Sequence, residues 1–131
     1  MNWIINSCRK SGLNNEEKML DKNVFFIGFG TPNEKREEKK SYTTIKQFEN
    51  FKKKSNIGDT IYLYANKVGI IAKGNYIGSI CEPIKKNEKA PDWSELEKQS
   101  HVGVDKWIIF DTPINYKARP QTLYYEKREI E

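Results

Sequence analysis

The sequence IGDTIYLYANKVGIIAKG at residues 57–74 carries a β-hairpin pattern and points to the fold class of the chain. Thr60–Tyr64 is rich in β-branched and aromatic residues, which is typical of a strand. Asn66-Lys67 predicts a tight turn, after which the chain returns as the next strand. Lys73-Gly74-Asn75 indicates a bulge or break, and Tyr76–Cys81 continues the strand beyond it. Antiparallel strands are therefore expected at the centre of the protein.

Strand patterns also occur on both sides of this hairpin. Trp3-Ile4-Ile5-Asn6 predicts a short first strand, Val24–Gly30 a second, and Val102–Phe110 a long late one. Together these segments give five or six strands around one clear helix. This order favours an α+β fold, a small curved and mostly antiparallel sheet or β-barrel with helices packed outside.

The clear helix is expected at residues 44–54. Thr44 and Gln47 have the spacing of a capping box, and Ile45, Phe48 and Phe51 place apolar side chains on one helix face. Lysines at 52–54 suit the negative end of the helix dipole.

Other segments give weaker patterns. We expect a single helical turn at Glu16–Leu20, a solvated charged loop at Asn33–Lys40, and a short helix start with Asp92 as N-cap. The whole chain, residues 1–131, is predicted to form one domain, with residues 116–131 as a C-terminal extension.

Composition narrows the function classes. The chain has 23 Lys and Arg against 18 Asp and Glu, and the net charge of +5 favours a polyanionic partner such as nucleic acid, although A/T-biased coding gives the same lysine surplus. No apolar stretch is long enough for a membrane span or a signal peptide. Cys8 and Cys81 lack a metal-ligand pattern, so we expect reduced thiols, a cytoplasmic protein, and no metal, cofactor or membrane partner.

Catalytic patterns are sparse. The only groups that suggest a nucleophile and a base are Cys8 or Ser7 with His101, and no phosphate loop or nucleophile elbow surrounds them. Gly28-x-Gly30 lacks the third glycine of a dinucleotide fingerprint and is better explained by close backbone packing. A non-catalytic binding protein is therefore expected.

Several residues suit contact with a nucleotide. Trp93 follows a Pro-Asp turn in a polar stretch, where an aromatic ring covers a ligand as often as it fills a core. Asn6 and Ser7 follow the first strand and offer hydrogen bonds to a base edge, although a strand-end turn also explains them. Two pairs of lysines match either phosphate contacts or solvated surface, namely Lys52 and Lys53, and Lys85 and Lys86.

Four segments in this order resemble the PUA-like superfamily, and within it the EVE and YTH group of modified-base readers. The segments are residues 3–7, residues 23–30, the GD turn with its two strands at 57–74, and the stretch from His101 to Trp107 followed by Pro113. Together they span about residues 2 to 116. This resemblance implies a PUA-like barrel that binds DNA or RNA and holds a flipped, modified base in an aromatic pocket.

The resemblance also implies roles for particular residues. Asn6 and Ser7 match the polar segment that reads the base edge, and Trp93 matches the cage tryptophan. YTH proteins have a second tryptophan where this chain has only Phe29 or Phe25, which favours an EVE-like reader. The candidate base pocket comprises Trp3, Asn6, Ser7, Phe25, Phe29, Tyr64 and Trp93. Two alternatives remain: a small nucleotide-processing enzyme using Cys8 or His101, and a protein-interaction domain with a vestigial pocket.

Overall fold

A computed structural model describes residues 1–7, 15–27, 35–83 and 99–131. Within these ranges the chain forms seven strands and two helices. The strands are β1 (Asn2–Asn6), β2 (Val24–Ile27), β3 (Thr60–Ala65), β4 (Gly69–Cys81), β5 (Ser100–Val104), β6 (Ile108–Ile114) and β7 (Leu123–Glu126). The helices are α1 (Asn15–Lys22) and α2 (Lys35–Lys54).

All seven strands belong to one mixed sheet. Its order is β2-β5-β4-β3-β1-β7, and β6 pairs with β4 beside this path. β1 runs parallel to β3, whereas the other ladders are antiparallel. The predicted α+β class with mostly antiparallel pairing is confirmed. Among the described residues no ladder joins β2 to β7, so the sheet is not closed into the predicted barrel, and it has seven strands instead of five or six.

The long strand β4 links the two halves of the sheet. Its first half pairs with β3 and β6, and its second half pairs with β5. At the junction, a Cβ added to Gly74 would lie 2.1 Å from Cγ1 of Val104 and 3.1 Å from the carbonyl oxygen of Lys106. Only glycine fits at this crossing. The predicted strand at Val102–Phe110 is therefore two strands, separated by a corner at residues 105–107.

That corner is fixed by hydrogen bonds. The Asp105 carboxylate accepts from the backbone N–H of Asn75 at 2.8 Å and of Lys106 at 2.7 Å. The indole N–H of Trp107 donates to the carbonyl oxygens of Met19 and Val24, at 3.0 and 3.2 Å. Trp107 thereby ties the β5–β6 corner to the end of α1 and the start of β2.

Helix α2 is longer than its pattern predicted. It begins at Lys35, so Thr44 and Gln47 lie inside the helix and do not cap it. The charged run from Lys35 to Lys40, expected as a solvated loop, is helical. Glu, Lys and Arg are good helix formers, and adding residues to an existing helix costs far less than starting one.

The main core lies between α2 and one face of the sheet. Phe51 of α2 packs its ring edge-on against Trp3 of β1, Phe25 of β2 and Tyr76 of β4, with centroid distances of 4.9, 5.6 and 5.1 Å. Phe48, one turn earlier, is also buried. A smaller cluster on the opposite face of the sheet contains Ile4, Tyr62, Ile70 and Tyr124.

The C-terminal segment is part of the sheet. β7 pairs antiparallel with β1, and Leu123 and Tyr124 are buried on its two faces. Residues 116–131 are therefore more than an extension, because without β7 one edge of β1 would lose its partner.

Trp3 and Asp59 form a buried polar contact beneath this sheet. The Trp3 indole N–H donates to Asp59 at 3.0 Å, and the same carboxylate oxygen accepts from the backbone N–H of Asn56 at 2.8 Å. Trp3 is completely buried and Asp59 is 7% exposed. The contact joins β1 to the turn that leads from α2 into β3.

Replacing this carboxylate should destabilise the protein. We expect Asp59→Ala to lower the free energy of unfolding by about 1–3 kcal/mol, because the buried indole N–H loses its acceptor. Urea unfolding measures the effect. Asp111→Ala, at an exposed position on β6, is the control and should change stability by less than about 0.5 kcal/mol. Equal losses in the two variants would contradict the role of Asp59.

Candidate functional site

Polar groups gather where the parallel strands β1 and β3 end. Asn6 lies opposite Tyr64 in the register of the two strands. The backbone N–H of Ser7 donates to the Tyr64 carbonyl at 3.0 Å, and that of Asn6 donates to the Thr122 carbonyl at 2.7 Å. Three predicted pocket residues, Asn6, Ser7 and Tyr64, are thus brought to one end of the sheet. We call this region the β1 terminus.

The side chains at the β1 terminus point in different directions. Asn6 and Tyr64 lie on the face of the smaller cluster, and both are half-buried. Tyr64 packs edge-on against Tyr116, with 6.0 Å between the ring centroids. Ser7 is buried, and its hydroxyl donates to Glu16 at 2.8 Å. Asn6 and Tyr64 therefore share one face of the sheet, whereas the Ser7 hydroxyl points to Glu16 in the interior.

Glu16 was missed in the sequence. It stands in the first turn of α1 and is 3% exposed. Its spacing to Met19 and Leu20, three and four residues later, places it on the same helix face as these apolar side chains. That spacing is the signal that could have identified a buried carboxylate.

The structure corrects the assignment of two aromatic residues. Trp3 and Phe25 were expected in the base pocket, but both are completely buried, and Phe51 packs against each ring. Because their faces are covered by protein, they serve the core.

Four expected contact residues, Phe29, Lys85, Lys86 and Trp93, lie outside the described residues, as does Cys8. The roles of these residues stay predictions.

The two remaining lysines differ from each other. Lys52 donates to Glu49 at 2.7 Å and to Glu82 at 2.9 Å. Partial burial opposes its charge, but these hydrogen bonds raise the pKa of Lys52 overall. Lys52 is thus engaged in ion pairs with two glutamates, and its phosphate contact stays a prediction. Lys53 is exposed in the last turn of α2.

The possible catalytic residues do not form a catalytic arrangement in the described part of the chain. His101 Nδ1 lies 3.0 Å from the Gln99 carbonyl oxygen, to which it must donate. The neighbouring thiol is that of Cys81, which lies opposite His101 in the β4–β5 register and is exposed. No described hydrogen bond joins the two side chains, and no described group of three His, Cys, Asp or Glu residues is placed to hold a metal ion.

A basic cleft lies between α2 and β7, close to the β1 terminus. It has a volume of about 570 Å³. Among the described residues, its lining contains three cations and no acidic residue: Lys46, Gln47, Asn50, Arg119, Gln121, Leu123, Tyr124, Tyr125 and Lys127. Gln47 closes one side, where its side-chain oxygen accepts from the backbone N–H groups of Thr122 and Leu123 at 2.9 and 3.0 Å. The sequence pattern missed this cleft because the C-terminal segment showed only a short apolar run.

Arg119 is positioned at this cleft by Tyr124. The Arg119 guanidinium lies 5.5 Å from the centre of the Tyr124 ring, and the Arg119 backbone N–H donates to the Tyr124 hydroxyl at 3.2 Å. The same hydroxyl lies 2.7 Å from that of Tyr116. A hydrogen-bond network inside the C-terminal segment therefore supports one wall of the cleft.

Glu126 is the acceptor at the centre of this network. It is 1% exposed and accepts from the Tyr116 hydroxyl and, at 3.0 Å each, from the guanidinium and backbone N–H of Arg128. The hydrogen bonds from Arg128 lower the pKa of Glu126 to about 2 despite its burial. Burial and the bond to Glu126 raise the pKa of Tyr116. The network thus holds a carboxylate and a neutral phenol at neutral pH.

Comparisons with protein-family models, with curated proteins and with solved structures gave no match for this chain. The resemblance to the PUA-like group therefore stays a prediction. Within the described ranges, no helix is long and apolar enough to cross a membrane.

The network makes stability depend on pH. Because the folded-state pKa of Glu126 lies below its ordinary value of 4.5, its stabilisation is complete above that pH and is lost as the pH falls toward 2. We expect Glu126→Gln to lower the free energy of unfolding by about 1–3 kcal/mol at neutral pH, and the gap to the wild type to shrink by about pH 3.

Urea unfolding at these two pH values measures the gap. Glu129→Gln, at an exposed position in the same segment, is the control. A gap that stays constant with pH would contradict the stabilising role of the Glu126 carboxylate.

Proposed function

We propose that this protein binds a modified base in DNA or RNA without changing it chemically. The observation that carries the proposal is the pairing of Asn6 with Tyr64 at the β1 terminus, next to a cleft lined by three cations and no acid. An amide side chain can both donate to and accept from a base edge. Basic side chains beside it suit the phosphates of the same strand.

The proposal uses the two predicted rings as stacking walls. Phe29 and Trp93 are the side chains that the resemblance assigns to this role, and stacking of a base on an aromatic ring contributes about 1–3 kcal/mol. Flipping a base out of a stack costs a few kcal/mol, so two such walls and an edge contact are sufficient to offset it.

Binding is favoured over catalysis by the placement of the reactive groups. His101 uses Nδ1 to donate to a backbone carbonyl, and the thiol opposite it is exposed on the strand. A nucleophile needs a base within hydrogen-bond reach and a third group to orient that base. The described residues around His101 do not supply that set.

The specificity of the pocket can be measured directly. A buried methyl group contributes about 0.8 kcal/mol, so we expect wild-type protein to bind a methylated oligonucleotide about fourfold more tightly than the unmethylated one. Asn6→Ala should reduce the discrimination between different bases more than it lowers the overall stacking affinity, because the base edge loses its hydrogen-bond partner. Fluorescence anisotropy with a panel of labelled, matched oligonucleotides gives both affinities.

Asn115→Ala, which removes an exposed amide elsewhere, is the control and should keep the wild-type ratio. Equal wild-type affinities across every methylated and unmethylated pair would exclude a modified-base reader and leave a general nucleic-acid binder.

A further inference from the structure

The basic cleft between α2 and β7 has the features of a binding site for a linear polyanion. We propose that it holds the sugar–phosphate backbone of a single strand of nucleic acid, leading the strand to the β1 terminus. This inference rests on the proposed function for the identity of the polymer. It adds a second contact region, formed by Arg119, Lys127 and the outer edge of β7.

The charge of the cleft favours a polyanion. Arg119 and Lys127 are exposed, and neither has a carboxylate within ion-pair distance among the described residues. Like charges that line one cleft repel each other, and a bound anion relieves that repulsion. The cleft is therefore electrostatically suited to phosphate groups.

The outer edge of β7 also offers a backbone N–H donor to a strand in the cleft. The backbone N–H of Asn6 donates to the Thr122 carbonyl, which therefore faces β1, whereas the N–H of Leu123 turns away to Gln47. Backbone groups two residues apart on a strand point the same way. The N–H group of Tyr125 thus lies on the outer edge of β7, beside the cleft. Backbone N–H groups are common partners of phosphate oxygens in protein–nucleic acid contacts.

The cleft also connects to the β1 terminus. Thr122 joins the two regions, because its carbonyl accepts from Asn6 and its N–H donates to Gln47 of the cleft wall. Gln121, the residue before it, lines the cleft. The end of the cleft at Gln121 and the contact of Thr122 with the Asn6 backbone are therefore adjacent in the chain. The cleft volume of about 570 Å³ is within the range of small-ligand pockets.

A pair of double variants tests the cleft. The probe is a fluorescein-labelled oligothymidylate of about ten nucleotides, titrated by anisotropy over a range of salt concentrations. In Arg119→Gln/Lys127→Gln, the slope of log affinity against log salt should become shallower by about 1.4, since each single-strand phosphate contact contributes about 0.7. The control, Lys67→Gln/Lys106→Gln, removes two exposed cations outside the cleft and should keep the wild-type slope.

A conservative variant separates charge from folding. Arg119→Lys keeps the cation and should keep the slope. Arg119→Gln leaves the backbone hydrogen bond to Tyr124 in place, and thermal melting checks that each variant folds. The proposal would be overturned if the cleft double variant kept the wild-type slope. It would also be overturned if the slope changed equally in both double variants. Displacement of the probe by oligoglutamate at equal charge concentration would also overturn it, in favour of an acidic protein segment.

The two proposals fail in different ways. If the cleft proposal fails, the cleft double variant keeps the wild-type salt slope, while the methylated-to-unmethylated ratio of the wild type stays above one. If the base-reading proposal fails, that ratio is one while the cleft variant still lowers the slope. The latter result supports the cleft as a backbone site of a general single-strand binder.

Discussion

The hydrogen bond from the Trp3 indole to the buried Asp59 carboxylate fixes the position of β1, on which the rest of the structure depends. Trp3 also supports Phe51 of α2 and lies beside Tyr125 of β7, with 5.7 Å between the Trp3 and Tyr125 ring centroids. One side chain therefore determines how the helix, the central strand and the C-terminal strand meet. A large aromatic ring with one polar atom suits this place because the ring fills the core and the N–H needs only one acceptor.

The position of β1 in turn creates the candidate site. β1 is parallel to β3 and antiparallel to β7, so its last residue lies between the end of β3 and the start of β7. Asn6 consequently meets Tyr64 on one side and Thr122 on the other. α2 crosses above β7 and leaves a cleft whose charged side chains come from α2 and from the residues on either side of β7. The Asn6–Tyr64 pair and the basic cleft both follow from this strand order.

Local patterns predicted the local elements well. The hairpin at Thr60–Ala65 and Gly69–Cys81 and the apolar face of α2 follow from residue alternation and helical spacing over short distances. β7 was missed because Leu123-Tyr124-Tyr125 gains its stability from β1, almost the whole chain length away. Trp3 was assigned to a pocket because an aromatic residue in a strand has the same pattern whether its ring packs in the core or against a ligand. Asn6 and Tyr64 were expected in one site, and only strand order shows that they are neighbours.

Photo-crosslinking tests most directly whether a nucleotide binds at the β1 terminus and continues along β7. An oligonucleotide with a photoreactive base beside the modified base would be irradiated together with the full chain. The protein would then be digested, and the crosslinked peptides would be identified by mass spectrometry. We predict adducts on peptides that contain Tyr64 and on peptides that contain Tyr124 and Tyr125, with the second group lost in Arg119→Gln/Lys127→Gln. Adducts confined to the β4–β5 face around His101, or to β6, would contradict this placement of the nucleic acid.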